Sequence, residues 1–178
     1  MKRFIILFNA VLMSHMAFAQ GWEPQNSPTG LSLYGVVFVD TSNGWAVGDS
    51  GTIIHTTNGG SSWVIQASGT ISSLSAVKFV DLNNGWAVGD TVILHTSDGG
   101  GWWMPQTSGV TCPLHDISFV DDIYGWIVGG DTWYDSLLWG YHTAVILHTT
   151  DGGGTWTPQM SDSGYSVSSV DFVNANVG

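Results

Sequence analysis

Thirteen aspartates and six histidines carry most of the reactive chemistry in this sequence, and many of them recur at fixed places. Asn58, Asp98 and Asp151 stand in three glycine-rich turns: Thr56-Thr57-Asn58-Gly59-Gly60-Ser61-Ser62-Trp63, Thr96-Ser97-Asp98-Gly99-Gly100-Gly101-Trp102-Trp103 and Thr149-Thr150-Asp151-Gly152-Gly153-Gly154-Thr155-Trp156. Acidic, glycine-rich turns invite a calcium reading, but calcium takes about six to eight oxygens and each turn offers one acidic or amide side chain. A side-chain oxygen that accepts the turn's own N–H groups, with glycine supplying positive φ, explains the same residues as structural staples. His55, His95 and His148 follow one template position, and no His/Cys cluster has zinc spacing. No metal site is expected. Asp40, Asp81 and Asp121 also recur, so they read as repeat residues before they read as the paired carboxylates of a glycosidase. We assign no catalytic residues and no cofactor.

The elements that position these residues are short strands. Three segments, residues 33–69, 74–109 and 114–164, share one plan. An alternating strand ending Phe-Val-Asp leads into Gly44-Trp45-Ala46-Val47-Gly48, Gly85-Trp86-Ala87-Val88-Gly89 or Gly125-Trp126-Ile127-Val128-Gly129. A third strand ends His55-Thr56, His95-Thr96 or His148-Thr149, and a fourth opens on Trp63, Trp103 or Trp156. Four short strands per unit of about forty residues predict the blades of an all-β propeller with antiparallel sheets. The third unit is longer by about thirteen residues, an insertion that repeat logic assigns to a loop. This insertion contains Asp131, Trp133, Tyr134, Asp135, Trp139, Tyr141 and His142, whose aromatic rings suit stacking on a peptide or sugar. The alternative is an extended hairpin that packs its aromatics on its own blade.

Both ends extend the pattern. Residues 22–27, Trp-Glu-Pro-Gln-Asn-Ser, repeat the fourth-strand motif and predict the outer strand of a closing blade. From residue 167 a fourth blade begins, and Gly178 falls where Gly44, Gly85 and Gly125 stand, so the chain reads as an incomplete fragment of a propeller. Residues 1–19 read as a cleaved secretory signal: Lys2 and Arg3, a short apolar run, then Ala17-Phe18-Ala19. A secreted, periplasmic or cell-surface location is therefore expected, and no transmembrane segment follows. Without the signal, Lys78 alone opposes fourteen acidic residues, a formal charge of −13. Such a chain has one lysine for phosphate neutralisation, which excludes nucleic acid as a partner. A single cysteine, Cys112, rules out an internal disulfide, so packing must supply stability.

The three turns resemble the Asp-box, Ser/Thr-x-Asp-x-Gly-x-Thr-Trp, of the bacterial neuraminidase repeat superfamily. In this chain the motif falls on Thr56, Asn58, Gly60, Ser62 and Trp63; on Thr96, Asp98, Gly100 and Trp103, with Trp102 in place of the Thr; and on Thr149, Asp151, Gly153, Thr155 and Trp156. The wider template, Phe-Val-Asp-x3-Gly-Trp-x-Val-Gly followed by Ile/Leu-x-His-Thr-x-Asp-Gly-Gly-x-x-Trp, is similar to the photosystem II stability/assembly factor family. That resemblance implies a non-enzymatic propeller acting as a protein-binding or assembly module, with another protein or a glycan as its partner. The alternative is a carbohydrate-active Asp-box propeller whose catalytic residues lie outside this sequence. A sialidase is excluded for this portion, because its substrate carboxylate is clamped by arginines and Arg3 is the only one here.

Overall fold

The computed structural model describes residues 24–134, 140–163 and 166–178. The signal segment, residues 1–19, lies outside them. Blade 1 contains β1 (Leu33–Phe38), β2 (Gly44–Gly48), β3 (Ile53–Thr56) and β4 (Val64–Gln66). Blade 2 contains β5 (Ala76–Phe79), β6 (Gly85–Gly89), β7 (Val92–Thr96) and β8 (Met104–Gln106). Blade 3 contains β9 (Leu114–Phe119), β10 (Gly125–Tyr134), β11 (Gly140–Thr149) and β12 (Thr157–Ser163). Each blade is a four-stranded antiparallel sheet in chain order, so the chain is an incomplete all-β propeller, as its repeats predict. Among the described residues no helix is long and apolar enough to cross a membrane.

The core lies between blades. One cluster joins Trp45, Val47 and Ile53 of blade 1 to Leu74, Val77, Phe79, Ala87 and Leu94 of blade 2. The equivalent cluster joins Trp86, Val88 and Ile93 to Leu114, Ile117, Phe119, Ile127 and Leu147 of blade 3. Sheets stacked this way bury both faces of their second strands, and every residue of β2 and β6 is buried. The glycine that opens the second strand has a steric cause. A Cβ on Gly44, Gly85 or Gly125 would run into the ring of Phe38, Phe79 or Phe119 on the adjacent strand.

Blade 3 departs from the plan. β10 and β11 continue past the blade as a ribbon, with Gly130 to Tyr134 pairing Ala144 to Gly140 and β12 following it as far as Thr143. The predicted loop is thus, in its described backbone, an extended hairpin; Asp135 and Trp139 lie outside the described residues. β12 lengthens with the ribbon and carries a bulge, so that Met160 pairs Ile146 where Gln66 and Gln106 pair Ile53 and Ile93. At the N-terminus, residues 24–27 form no strand. A strand needs a neighbour to complete its hydrogen bonds, and none of the described sheets takes residues 24–27 as a member. At the C-terminus, Phe172 takes the place of Phe79 and Phe119 against the preceding blade, with one isolated bridge between Asn174 and Val177.

Candidate functional site

The three Asp-box turns are built alike. The buried hydroxyl of Thr56, Thr96 and Thr149 accepts the N–H of Gly60, Gly100 and Gly153 at 2.9, 2.8 and 2.8 Å. It donates in turn to Oδ1 of Asn58, Asp98 and Asp151 at 3.0, 2.8 and 2.8 Å. The same Oδ1 accepts the N–H of Ser62, Trp102 and Thr155. Gly60, Gly100 and Gly153 hold φ of +88°, +90° and +87°, a region that favours glycine. Backbone N–H groups and the threonine hydroxyl hold the Asp98 and Asp151 carboxyls below the usual range. Because one oxygen does the accepting and Asn58 already serves in blade 1, Asp151→Asn should lower the denaturation midpoint only slightly. A large loss at neutral pH, relieved at acid pH, would show that the charge itself matters.

The turns also clamp neighbouring blades together. The Gly99 carbonyl of blade 2 accepts Trp45 Nε1 at 3.1 Å and Gln66 Nε2 at 2.9 Å, both from blade 1. Gly152 of blade 3 accepts Trp86 Nε1 and Gln106 Nε2 from blade 2, each at 3.1 Å. The same glutamines accept the indole N–H of Trp103 and Trp156 through Oε1, at 3.3 and 3.2 Å. Gln66 and Gln106 were not singled out by the sequence reading. Their signal was present, since a glutamine follows Trp22, Trp63, Trp103 and Trp156 by three residues.

The repeated histidines belong to these seams. His55, His95 and His148 stack on Trp45, Trp86 and Trp126 with ring centroids 4.4, 4.8 and 4.7 Å apart. Phe79, Phe119 and Phe172 of the following unit lie parallel to the same indoles, each at 3.7 Å. Among the described residues nothing bonds the buried Nε2 of His55 or His148. Burial lowers the His55 and His95 pKa values below 6.5. The unfolded chain therefore takes protons first as pH falls, so this contribution is complete above about pH 6.5 and declines below it. Thermal melts from pH 7.5 to 5 should show a falling midpoint, and the double variant His55→Gln, His95→Gln should flatten that slope. A second decline is expected below about pH 4, where the carboxyls of the unfolded chain take up protons more readily than the low-pKa Asp40, Asp49, Asp81, Asp98 and Asp151 of the folded one.

Six further carboxylates are also engaged in structure. Oδ1 of Asp40, Asp81 and Asp121 accepts two backbone N–H groups of its own turn, from residues two and three positions on. On the opposite end of the blades, Asp49 accepts the hydroxyls of Tyr34 and Ser73, Asp90 accepts Ser73 N–H, and Asp116 accepts Ser169 Oγ and Val170 N–H. A glycosidase acid needs a raised pKa. Among the described carboxyls with shifted values, all are shifted down. The ribbon stands on this same end, with Trp133 opposite Tyr141 and Thr132 opposite His142 in its ladder.

Residues 14–109 match the family model described as photosynthesis system II assembly factor YCF48. Thirteen solved chains match in structure. YCF48 bound to a D1 peptide is 24% identical with a TM-score of 0.60, the match covering 75% of this chain and 43% of that one. YCF48 from Cyanidioschyzon merolae is 21% identical with a TM-score of 0.63, covering 81% and 44%. At these identities the likeness shows the fold, and the chain spans less than half the length of either structure. No curated protein sequence matches.

Proposed function

The chain belongs to the photosynthesis system II assembly factor YCF48 family, and from that premise we propose that it is an exported, non-catalytic scaffold that binds a protein segment during assembly of a membrane photosystem. The observation that carries this reading is the division of labour among its side chains. The Asp-box aspartates, the stacked histidines and the turn-capping carboxylates are consumed in holding the blades, which leaves a rigid frame. The blade 3 ribbon is the described backbone that departs furthest from that frame. Binding residues are commonly carried on segments that a rigid scaffold presents. We assign the contact to Asp131, Trp133, Tyr134, Asp135, Trp139, Tyr141 and His142, whose aromatics are of the type that anchors interfaces. A peptide partner agrees with the D1 peptide held by the solved relative. Export through the signal segment predicts a mature protein that begins at Gln20, which N-terminal sequencing checks.

The test removes the ribbon. Joining Gly130 to Thr143 leaves a short turn comparable with the one between Gly89 and Val92 in blade 2. The shortened protein should keep its thermal midpoint within a few degrees. Its affinity for a synthetic D1 peptide, measured by titration calorimetry, should fall at least tenfold. Replacing Trp133, Tyr134, Trp139 and Tyr141 with Ser tests the aromatic share of that loss. A folded deletion with unchanged affinity would place the site elsewhere, and unfolding would make the ribbon part of the blade's core.

A further inference from the structure

The outer edges of blades 2 and 3 carry a guard that blade 1 lacks. Pro105 stands in the middle of β8 and pairs Leu94, and Pro158 in β12 pairs Leu147. A proline has no N–H to give, so it fits a strand only where that N–H would face solvent, and it blocks the edge against a further strand. Ile65 holds the equivalent place in β4, paired with Ile54. The prolines show that backbone groups at this register point away from the sheet. Ile65 therefore turns both its N–H and its C=O outward, and Ala67, two residues on, is in phase with it. Charge is the other common guard of an edge, and it is missing too: no Asp, Glu, Lys or Arg occurs from Ser50 to Val77.

We propose that this edge is a strand-addition site, which takes an extended peptide, uncharged at its centre and basic at its ends, as a fifth strand of blade 1. Backbone pairing to Ile65 and Ala67 sets the register, since each residue of an extended chain offers one donor and one acceptor. Side chains on one face of the added strand lie beside Val64, 67% exposed, and those on the other beside Ile65, 57% exposed. An open groove lined by Thr52, Ile65, Ala67 and Ile71 continues from the edge, and Ile71 is 91% exposed. The rim stays open when a neighbouring blade is present, because Pro105 is exposed with blade 1 packed against blade 2. Charge selects the ends of the peptide: a neutral edge on a strongly acidic chain attracts cationic flanks and asks for no ion pair at the contact itself. A second copy is the poorer occupant. Two such acidic chains repel, and a three-residue edge buries far less than the roughly 1,200 Å² at which stable interfaces begin. The site belongs to blade 1 and does not depend on the contact proposed for the ribbon of blade 3.

The probe that tests this is acetyl-Lys-Thr-Val-Thr-Val-Thr-Lys-amide, added to the intact protein and followed by titration calorimetry and amide hydrogen exchange. The peptide should bind and slow exchange at Ile65 and Ala67 at least tenfold. The same peptide N-methylated at every Thr and Val keeps its charge but cannot pair, and it should not bind. Ile65→Pro gives blade 1 the residue that blades 2 and 3 already hold at this register, so the fold should survive while affinity falls at least tenfold. Should that variant unfold, the N-methylated peptide alone decides. Removing the ribbon should leave the affinity unchanged. Folded protein that ignores the peptide would overturn the proposal, as would equal binding of the N-methylated peptide, full affinity in folded Ile65→Pro, or loss of binding with the ribbon. A concentration-dependent dimer of the parent that Ile65→Pro abolishes would overturn it in favour of edges that pair with each other.

Discussion

Trp86→Ala should lower the free energy of unfolding by about 3–5 kcal/mol, the cost typical of deleting a buried aromatic from a well-packed core. The residue is 1% exposed and ties blade 2 to blade 3 in two ways. Its ring stacks on Phe119 at 3.7 Å, and its N–H reaches the Gly152 carbonyl at 3.1 Å. Alanine removes the ring from the seam and leaves Gly152 with Gln106 as its remaining side-chain donor. Urea denaturation followed by circular dichroism measures the change. Trp102→Ala is the control. Trp102 is 70% exposed and its bond to Asp98 uses the backbone N–H, which alanine keeps. If the two variants lost equal stability, the stacked seams would not be the source of cohesion.

Gly85→Ala should cost about 1–3 kcal/mol, the range for forcing an extra methyl into a packed interior. The added Cβ would collide with the Phe79 ring. That ring has no room to retreat, because it stacks on Trp45 at 3.7 Å and meets Trp103 edge-on at 5.8 Å. The strain therefore passes into the seam between blades 1 and 2. Gly30→Ala offers the contrast, since a Cβ there meets nothing within 4 Å and the backbone is not in the left-handed region. The same denaturation series should show it unchanged. Equal midpoints for both variants would mean that the glycine opening each second strand is dispensable.

Much of the fold was legible because a propeller blade is a local object. Alternation in Val77-Lys78-Phe79, the buried run Gly85-Trp86-Ala87-Val88-Gly89 and the turn Thr96-Ser97-Asp98-Gly99-Gly100 each report an element formed by residues close in sequence. Strand ends were less legible. The first strand of blade 1 stops at Phe38, since Asp40 turns its carboxylate back onto the N–H groups of Ser42 and Asn43. Aspartate commonly competes with a ladder in this way.

By itself, then, the sequence determined the blade: its four strands, its Asp-box and the tryptophan that each unit buries. The tertiary structure alone decided what those residues are for. Gln66 and Gln106 are separated from their Gly99 and Gly152 acceptors by 33 and 46 residues. His55 shares Trp45 with Phe79 of the next unit, and Phe38, identical in type to Phe79 and Phe119, is left uncovered. Periodicity reports which side of a strand is apolar, because that depends on the strand's own alternation. It does not report which neighbour covers that side, because the neighbour's position is set by the stacking of whole blades.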